Sequence, residues 1–444
     1  REQFAALIVA RTQMLPPGKW LTGGNWDNGT WIDRRLPSKD DIDPCTPATP
    51  VFVTRSDLHM GLANSAALSL AGITAATPAP PGGAIMRRSG SDEPTGILKD
   101  TALDLVRRVI PPPSREDSFA AIEKACELAA SLGVTSVQDM AVGDDWDNWR
   151  IFQAFRRRNE LTVRLCVRMP LDKWNKSRRM PEGEQDDWLR LGGVKSFVDG
   201  SLGASSALFF APFDDEPDNC GLLMLEPAEL AGQITAADRA GLQAAVHAIG
   251  DKANSILMDI YAEVAARNGD RDRRFRVEHA QHLTARDISR LAALGVIASV
   301  QPSHLVDDGR WAENRIGPDR ARFAYPFRSL LDAGVMLAFG SDWPVAPLNP
   351  LIGIHAAVTR KLDDGRYADG WHPEHRISVG EAVRAYTAAA ACAEFAEADK
   401  GALAPGMLAD FVILSRDIFT VPPEEIATAT AVCTVCGGKV VYEK

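Results

Sequence analysis

The sequence is poor in cysteine, in positive charge and in long apolar runs, and each deficit narrows what the protein can be. Seven cysteines in 444 residues, an odd number, do not build a disulfide framework. Lys and Arg total 49 against 59 Asp and Glu, a net charge of −10, which argues against nucleic-acid binding as the main task. Every apolar run falls short of the roughly 18–20 residues that cross a bilayer. We therefore expect a reduced, cytoplasmic protein that binds neither nucleic acid nor membrane.

The overall composition is that of a globular protein. Apolar residues make up 45% of the chain and charged residues 24%, which excludes a disordered chain. A chain of 444 residues is long enough for one large α/β domain or for two to three smaller domains.

Short β-branched runs alternate with Ala- and Leu-rich segments whose apolar residues recur at three- and four-residue steps. The runs span residues 133–140, 161–169, 193–199, 241–247, 274–279, 295–301 and 334–341. This alternation predicts a parallel sheet. Seven strands fit a (β/α)8 TIM-type barrel whose first strand is missing from this chain. The alternative, an open doubly wound sheet, would be favoured by a Gly-x-Gly-x-x-Gly turn, and the sequence has none.

Two stretches depart from this pattern. Residues 20–115 are rich in Gly, Pro, Asp and Asn, and we interpret them as a long insertion in the barrel. Beyond residue 400 the helical spacing stops and short strand-like runs begin. We therefore predict a barrel domain over residues 1–400 and part of a small β appendage over residues 401–444.

Polar residues follow the apolar strands at their carboxyl ends, which form the catalytic face of a barrel. His247, His279, His304 and Asp342 hold such positions, and Lys195 lies within the run at 193–199. Two imidazoles and a carboxylate, brought together by a closed sheet, would bind a borderline metal such as zinc. Such a metal activates water, and a neighbouring carboxylate can take its proton and pass it to a leaving amine.

Lys195 fits a metal site only in a modified state. Its amine is a cation at neutral pH, with a reference pKa near ~10.4, and would repel a metal ion. As a carbamate it would offer two anionic oxygens, which suits a bridge between two metals roughly 3.5–4 Å apart.

Motifs along nearly the whole chain resemble the metal-dependent amidohydrolase superfamily. The resemblance is to its amidohydrolase-3 group, which includes YtcJ-like proteins and N-substituted formamide deformylase. The order and spacing of the motifs together are more specific to this family than any one motif. The motifs are GGNWD, PVFVTRSDLHMGLANSAAL, GVTSVQDM, GGVKSFVDGSLG, VHAIGDKA, RVEHAQ, VQPSH, FGSDWPV and GALAPGMLADFVIL.

The resemblance implies a barrel with a β-sandwich built from both chain ends, and one or two divalent metals per chain, usually zinc. It places the family's strand-4 lysine, often carbamylated, on Lys195. It places the histidine ligands on His247 and His279. The strand-8 aspartate, both ligand and general acid/base, falls on Asp342.

One feature of the family is missing. Its strand-1 His-x-His pair is expected upstream of residue 1, and no His-x-His occurs in this chain. The first strands of the sandwich are also missing. We therefore expect that the sequence lacks an N-terminal piece of the full protein.

Three further residues are candidates for substrate binding, each with a structural alternative. His304 would contact substrate or cap a loop. His59 lies in the insertion, where it would belong to a lid over the barrel mouth or to an internal polar network. Trp343 would wall the pocket or serve as packing.

The leading hypothesis is a metal-dependent hydrolase of a non-peptide C–N bond in a small molecule: an amide, an N-formyl group or a cyclic amide. Deamination of a heterocycle and hydrolysis of a carbamate or ester are alternatives on the same centre. Without the His-x-His pair, a non-catalytic remnant is another alternative. A glycosidase using Asp199 and Glu278 ranks below these, because it leaves the histidines and the lysine unexplained. A homodimer is expected, as is common for such barrels.

Overall fold

The computed structural model describes residues 1–16, 18–140, 147–179 and 185–444. The chain forms two compact units. The first unit comprises Arg1–Pro112 and Asp199–Leu225, and the second comprises Pro113–Val198 and Glu226–Lys444. The sequence did not indicate that residues 199–225 belong with the early part of the chain.

The first unit is built on a five-stranded sheet in the order β1-β2-β3-β5-β4, antiparallel except where β1 pairs with β2. Its strands are β1 Gly24–Trp26, β2 Phe52–Arg55, β3 Met60–Ala63, β4 Gly83–Arg87 and β5 Pro94–Asp100. Its α-helices are α1 Glu2–Gln13, α2 Ser65–Leu70 and α3 Asp104–Arg107. Short 3-10 helices lie at Asn28–Thr30, Lys39–Asp41, Asp43–Cys45 and Thr101–Leu103.

A buried ionic network attaches the segment Asp199–Leu225 to the sheet of the first unit. The Arg55 guanidinium donates to Asp27 Oδ1 at 2.6 Å and to Asp57 Oδ2 at 2.7 Å. Ser201 Oγ donates to the same Asp57 oxygen at 2.7 Å. Because a buried cation is tolerated only when it is paired, this network fixes the loop to β2.

The second unit contains a parallel sheet of seven strands that lie side by side in chain order, from β6 to β12. The strands are β6 Ser136–Asp139, β7 Arg164–Pro170, β8 Leu189–Phe197, β9 Ala244–Ala248, β10 Arg276–His279, β11 Ile297–Val300 and β12 Leu337–Phe339. All seven fall on runs that the sequence predicted as strands. β8 stops at Phe197, two residues before the end of the predicted run at 193–199, so Asp199 is not part of that strand.

Helices connect the strands, as parallel pairing requires. The α-helices of the second unit are α4 Arg115–Ser131, α5 Asp147–Arg157, α6 Pro227–Arg239, α7 Asp251–Asn268, α8 Ala285–Ala293, α9 His304–Asp308, α10 Ala312–Ala321, α11 Phe327–Asp332, α12 Pro350–Thr359, α13 Val379–Tyr386 and α14 Ala388–Cys392, of which α5 to α11 lie between strands. Short 3-10 helices lie at Leu171–Arg179, Pro373–His375 and Pro423–Thr428. Local sequence fixes several starts: Ser114 and Asp117 form a capping box at α4, and Thr284 caps α8.

The seven-stranded sheet is curled into a half-barrel. Arg276 on β10 hydrogen-bonds through its guanidinium to the side-chain oxygen of Gln138 on β6. These strands are four positions apart, which in a flat sheet would separate them by ~19 Å at ~4.8 Å per strand. Their contact therefore requires the sheet to bend until distant strands face each other across an interior.

The segment that ends α14 lies at the amino end of this sheet. Four donors, two of them within β6 and β8 and two just before β9 and β10, bond to its backbone carbonyls. The bonds are Gln138 Nε2 to Ala390 O (3.0 Å), Arg274 Nη1 to Cys392 O (2.7 Å), Gln243 Nε2 to Ala393 O (3.0 Å) and Arg190 Nη2 to Glu394 O (2.7 Å). One short peptide thus holds β6, β8, β9 and β10 at fixed mutual positions.

The end of the chain forms a three-stranded antiparallel sheet, β13 Phe411–Leu414, β14 Ala431–Cys436 and β15 Lys439–Glu443. The turn between the last two strands is Gly437-Gly438, and both residues have positive φ, 60° and 73°, as a tight hairpin requires. A buried ion pair between Arg164 Nε and Asp410 Oδ2 (2.6 Å) attaches this sheet to β7. Within the part of the chain that the structure describes, every helix is too short or too polar to cross a bilayer.

Gln243 is a sharp test of the amino-end contacts. Its amide donates to Arg274 O (2.6 Å) and to Ala393 O, and accepts from Arg168 Nη2 (2.6 Å). Gln243→Leu leaves these buried groups without that partner, so we expect the free energy of unfolding to fall by about 2–4 kcal/mol. Urea unfolding monitored by circular dichroism measures this change.

The matched control is Gln233→Leu, which removes a half-buried glutamine on α6 bonded only to Glu229 among the described residues (3.1 Å). We expect a change below about 0.5 kcal/mol. Equal effects of the two substitutions would contradict the role assigned to the amino-end contacts.

Candidate metal centre

Five polar side chains lie at the carboxyl edge of the half-barrel, each from a different strand or its following turn. Lys195 is on β8, His247 on β9, and His279 is the last residue of β10. His304 begins α9 after β11, and Asp342 follows β12. Because parallel strands end at one edge of their sheet, the sequence-predicted residues of the second unit come to the same region.

The imidazoles and the carboxylate form a continuous row. The ring centroids of His247 and His279 are 4.4 Å apart, with the rings inclined at 68°. Those of His279 and His304 are 5.9 Å apart and nearly parallel, at 20°. His304 Nε2 lies 3.7 Å from Asp342 Oδ2. Burial lowers the pKa of His304 below its ordinary value, although the Asp342 carboxylate opposes this, so the ring is neutral at physiological pH.

One set of side chains in the described residues brings three metal-ligating atoms together. His279, His304 and Asp342 each offer one such atom, and the three lie within 4.8 Å of one another. Three atoms so placed fit within a circle of radius ~2.8 Å, against zinc–ligand bonds of ~2.0–2.2 Å. Two imidazole nitrogens and a carboxylate oxygen are a donor set that zinc accepts, so these residues fit a divalent metal after a small contraction.

Lys195 is buried beside this row. Its Nζ lies 3.6 Å from the centroid of the Phe197 ring and 3.3 Å from Ser196 O. Burial lowers the pKa of Lys195 to about 8, and the carboxylates of Glu278 and Asp342 act in the opposite direction. The amine is therefore easier to neutralise here than on the surface, which is the condition that a metal-binding role sets.

The backbone is unusual at two residues of the row. His279 has φ 75° and Asp342 has φ 59°, both in the left-handed region that most non-glycine residues avoid. Ala280, next to His279, also has positive φ, 42°. Strain of this kind concentrates at functional sites, because there the surrounding structure holds the backbone for a reason other than its own stability.

A layer of charged side chains lies beneath the row, and sequence reasoning gave it no role in the metal site. Arg276 Nε is 2.9 Å from Glu278 Oε1, and its Nη2 donates to Ser299 Oγ at 2.7 Å. Arg168 is fully buried and its pKa is lowered to about 10 by burial and by the charge of Arg276. The available signal was the arginine in the middle of otherwise apolar strands, where a charge is expensive unless it is paired.

Asp308 joins the segments that carry two of the histidines. Its Oδ2 accepts from Gln281 Nε2 and from Tyr325 Oη, both at 2.5 Å. Gln281 lies two residues after His279, and Asp308 is the last residue of α9, which begins at His304. The carboxylate therefore sets the position of α9 relative to the turn that follows β10.

Two predicted substrate-binding residues are not members of this row. His59 belongs to the first unit, where its Nδ1 is 2.6 Å from Asp100 Oδ1. Burial would lower the pKa of His59, but the hydrogen bond and charge of Asp100 outweigh it and raise the pKa. Trp343 follows Asp342 and is 46% exposed. A contact with substrate stays a prediction for both.

A half-barrel with imidazoles and a carboxylate at its carboxyl edge defines the class of metal-site hydrolases built on parallel α/β sheets. A sequence profile of the amidohydrolase family matches residues 2–442. The chain therefore belongs to the amidohydrolase family, and this confirms the resemblance predicted from its motifs.

Individual relatives span almost the whole chain. The protein LONG AFTER FAR-RED 3 of Arabidopsis thaliana is 42% identical, over 100% of this chain and 77% of its own length. N-substituted formamide deformylase of Arthrobacter pascens is 27% identical, over 100% of this chain and 82% of its own. The crystal structure of an uncharacterized metal-dependent hydrolase from Pyrococcus horikoshii OT3 has a TM-score of 0.75 and 29% identity, covering 95% of this chain and 81% of its own.

The Asp308 contacts can be tested without knowing a substrate. Asp308→Ala removes the acceptor of two buried donors, so we expect the free energy of unfolding to fall by about 2–4 kcal/mol. Hydrogen exchange should also speed up in residues 279–283 and 304–308, because these segments lose their connection.

The control is the neighbouring Asp307, whose carboxylate pairs with Arg310 and is 44% exposed. Asp307→Ala should cost less than about 1 kcal/mol and leave exchange at residues 279–283 unchanged. Faster exchange there in the control variant would mean that the two segments are not held by Asp308.

Proposed function

We propose that this protein is a metal-dependent hydrolase of a non-peptide C–N bond in a small molecule, either an amide, an N-formyl group or a cyclic amide. The observation that carries the proposal is the row of imidazoles and the Asp342 carboxylate at the carboxyl edge of the half-barrel. Membership of the amidohydrolase family and a relative named for deformylating N-substituted formamides support the choice of bond.

The residues to hold the metal are those that the family resemblance implies: Lys195, His247, His279 and Asp342. Zinc suits imidazole and carboxylate donors, and Lys195 would join them as a carbamate, with one or two metals per chain. When bound, such a cation lowers the pKa of water to near ~7 and polarises a carbonyl oxygen.

We assign the movement of the proton during the reaction to Asp342, and its exposure supports this role. Its side chain is 38% exposed, so it reaches solvent as well as the row of histidines. The carboxylate takes a proton from the attacking water, whose oxygen forms the new bond to the carbonyl carbon. It then gives that proton to the nitrogen as the C–N bond breaks, and the amine leaves neutral.

The proposed barrel, sandwich and oligomeric state follow the same family pattern. The outer strands β6 and β12 are the edges that an eighth strand would join to complete a (β/α)8 barrel, and the sheet β13–β15 would be part of a β-sandwich. We also propose a cytoplasmic homodimer, which size-exclusion chromatography with light scattering would test.

Metal removal tests the proposal most directly. We expect purified full-length protein to contain at least one transition metal per chain by elemental analysis. Dialysis against a chelator should abolish hydrolysis of active compounds in a panel of N-formyl, N-acyl and cyclic amides, and added zinc should restore it. Full activity in metal-free protein would refute the proposal.

Asp342→Asn tests the proton role separately from metal binding. The amide cannot accept the proton, so we expect turnover to fall ~100- to 10,000-fold while bound metal is largely retained. Turnover at substrate saturation and elemental analysis measure the two quantities.

Asp332→Asn is the control, since this exposed aspartate on α11 pairs only with Arg328 among the described residues (2.8 Å). It should leave turnover unchanged. A wild-type rate in Asp342→Asn would remove Asp342 from the proton path.

A further inference from the structure

His304 stands out once the row of ligating atoms is compared with the set that the family resemblance implies. That set contains Lys195 and His247, whereas the His, Cys, Asp and Glu side chains of the described residues bring three ligating atoms within 4.8 Å of one another at His279, His304 and Asp342. Sequence reasoning gave His304 a contact with substrate. Its geometry is that of a ligand.

The distances agree with a single metal held between three side chains. In a tetrahedral zinc site with bonds of ~2.1 Å, neighbouring ligand atoms lie ~3.4 Å apart. His304 Nε2 and Asp342 Oδ2 are 3.7 Å apart, which is close to that edge. Three protein ligands also leave one position open, as in zinc sites that act on a substrate rather than on the fold.

The chemistry of the nitrogen points the same way. His304 Nε2 is buried, and within the described residues it has no hydrogen-bond partner. The Asp342 oxygen at 3.7 Å is beyond hydrogen-bond range. A buried polar atom without a partner is costly, and a metal in the space between these two atoms would satisfy it.

The surroundings hold His304 toward the other two residues. It is the first residue of α9, and Asp308 at the end of this helix bonds to Gln281 in the turn after His279. A ligand is useful only when its supporting contacts orient it before the metal arrives. The contacts of Asp308 do this for His279 and His304 together.

We propose that His304 is a metal ligand, which completes a three-residue set with His279 and Asp342. The inference rests on the proposed function, because it assumes that the protein binds a divalent metal. A metal bound by these three residues needs no His-x-His pair. His247 and Lys195 then lie on the other side of His279, where they would bind a second metal.

The test is metal affinity in the full-length protein. Zinc and cobalt(II) affinities are measured by competition with a chromophoric chelator for wild type, His304→Ala and His304→Gly. Removing an outer partner of a metal ligand already costs roughly 10- to 100-fold in affinity, so loss of His304 should cost at least that much. The visible absorption of the cobalt protein should also change, because one imidazole leaves the coordination sphere.

His375→Ala is the matched control. His375 is a buried histidine whose Nε2, unlike that of His304, has a hydrogen-bond partner, Arg322 O at 3.1 Å, and it is not one of the clustered ligands. It should leave affinity and the cobalt spectrum unchanged. Free imidazole should restore metal binding to His304→Gly, a result that a folding defect would not give.

The outcomes separate this inference from the proposed function. If wild type binds metal and His304→Ala binds it equally tightly, with only KM raised, His304 is a substrate contact and the inference is wrong. If wild type binds no metal, both the inference and the proposed function fail. Weakened binding that imidazole restores supports the inference.

Discussion

The curl of the seven-stranded sheet is the constraint on which the site depends. A flat sheet would hold Lys195 and the turn after β12 ~19 Å apart, since four strand spacings of ~4.8 Å separate them. In the folded chain, the contact between Arg276 on β10 and Gln138 on β6 shows that strands four positions apart face each other, and the charge of Asp342 accordingly acts on the pKa of Lys195. The curl is fixed at the opposite end, where the carbonyls of one peptide accept bonds from β6, β8 and the residues that precede β9 and β10.

The charged interior gives the half-barrel a definite shape. Arg168, Arg276 and Glu278 are buried where a TIM-type barrel usually holds branched apolar side chains. Apolar packing would cost less free energy than taking these charges out of water. We therefore infer that the charged side chains serve to fix the positions of the strands. The guanidinium of Arg276 hydrogen-bonds to Gln138 on β6 and to Ser299 on β11, and it forms an ion pair with Glu278 on its own strand. An isoleucine at this position would hold β10 only by contact. The contacts of Arg276 therefore also hold His279, the last residue of β10, in a fixed position.

The sequence could predict the strands and most of the row, because β-branched runs and the polar residues that end them are local signals. It could not predict that the His304 side chain would lie beside His279 and Asp342. Whether that ring turns to substrate or to Asp342 depends on the direction of α9, which Gln281, Asp308 and Tyr325 set together from three separate segments. For the same reason the sequence could not predict that residues 199–225 belong to the first unit. They are attached through a hydrogen bond between Asp57 and Ser201, which are 144 positions apart.

The buried charged side chains of the half-barrel also help to distinguish a glycosidase from a metal-dependent hydrolase. A glycosidase needs one carboxylic acid able to give up a proton and a second carboxylate at a set distance. Glu278 is instead held in an ion pair with Arg276 at 2.9 Å, in the layer beneath the histidines, and the imidazoles would have no task. Asp342 lies at the end of the row, 38% exposed and 3.7 Å from His304, and it is the carboxylate to which we assign proton exchange with water. A carboxylate beside nitrogen ligands is the arrangement that hydrolysis at a metal requires, so the same geometry that disfavours the glycosidase favours the amidohydrolase.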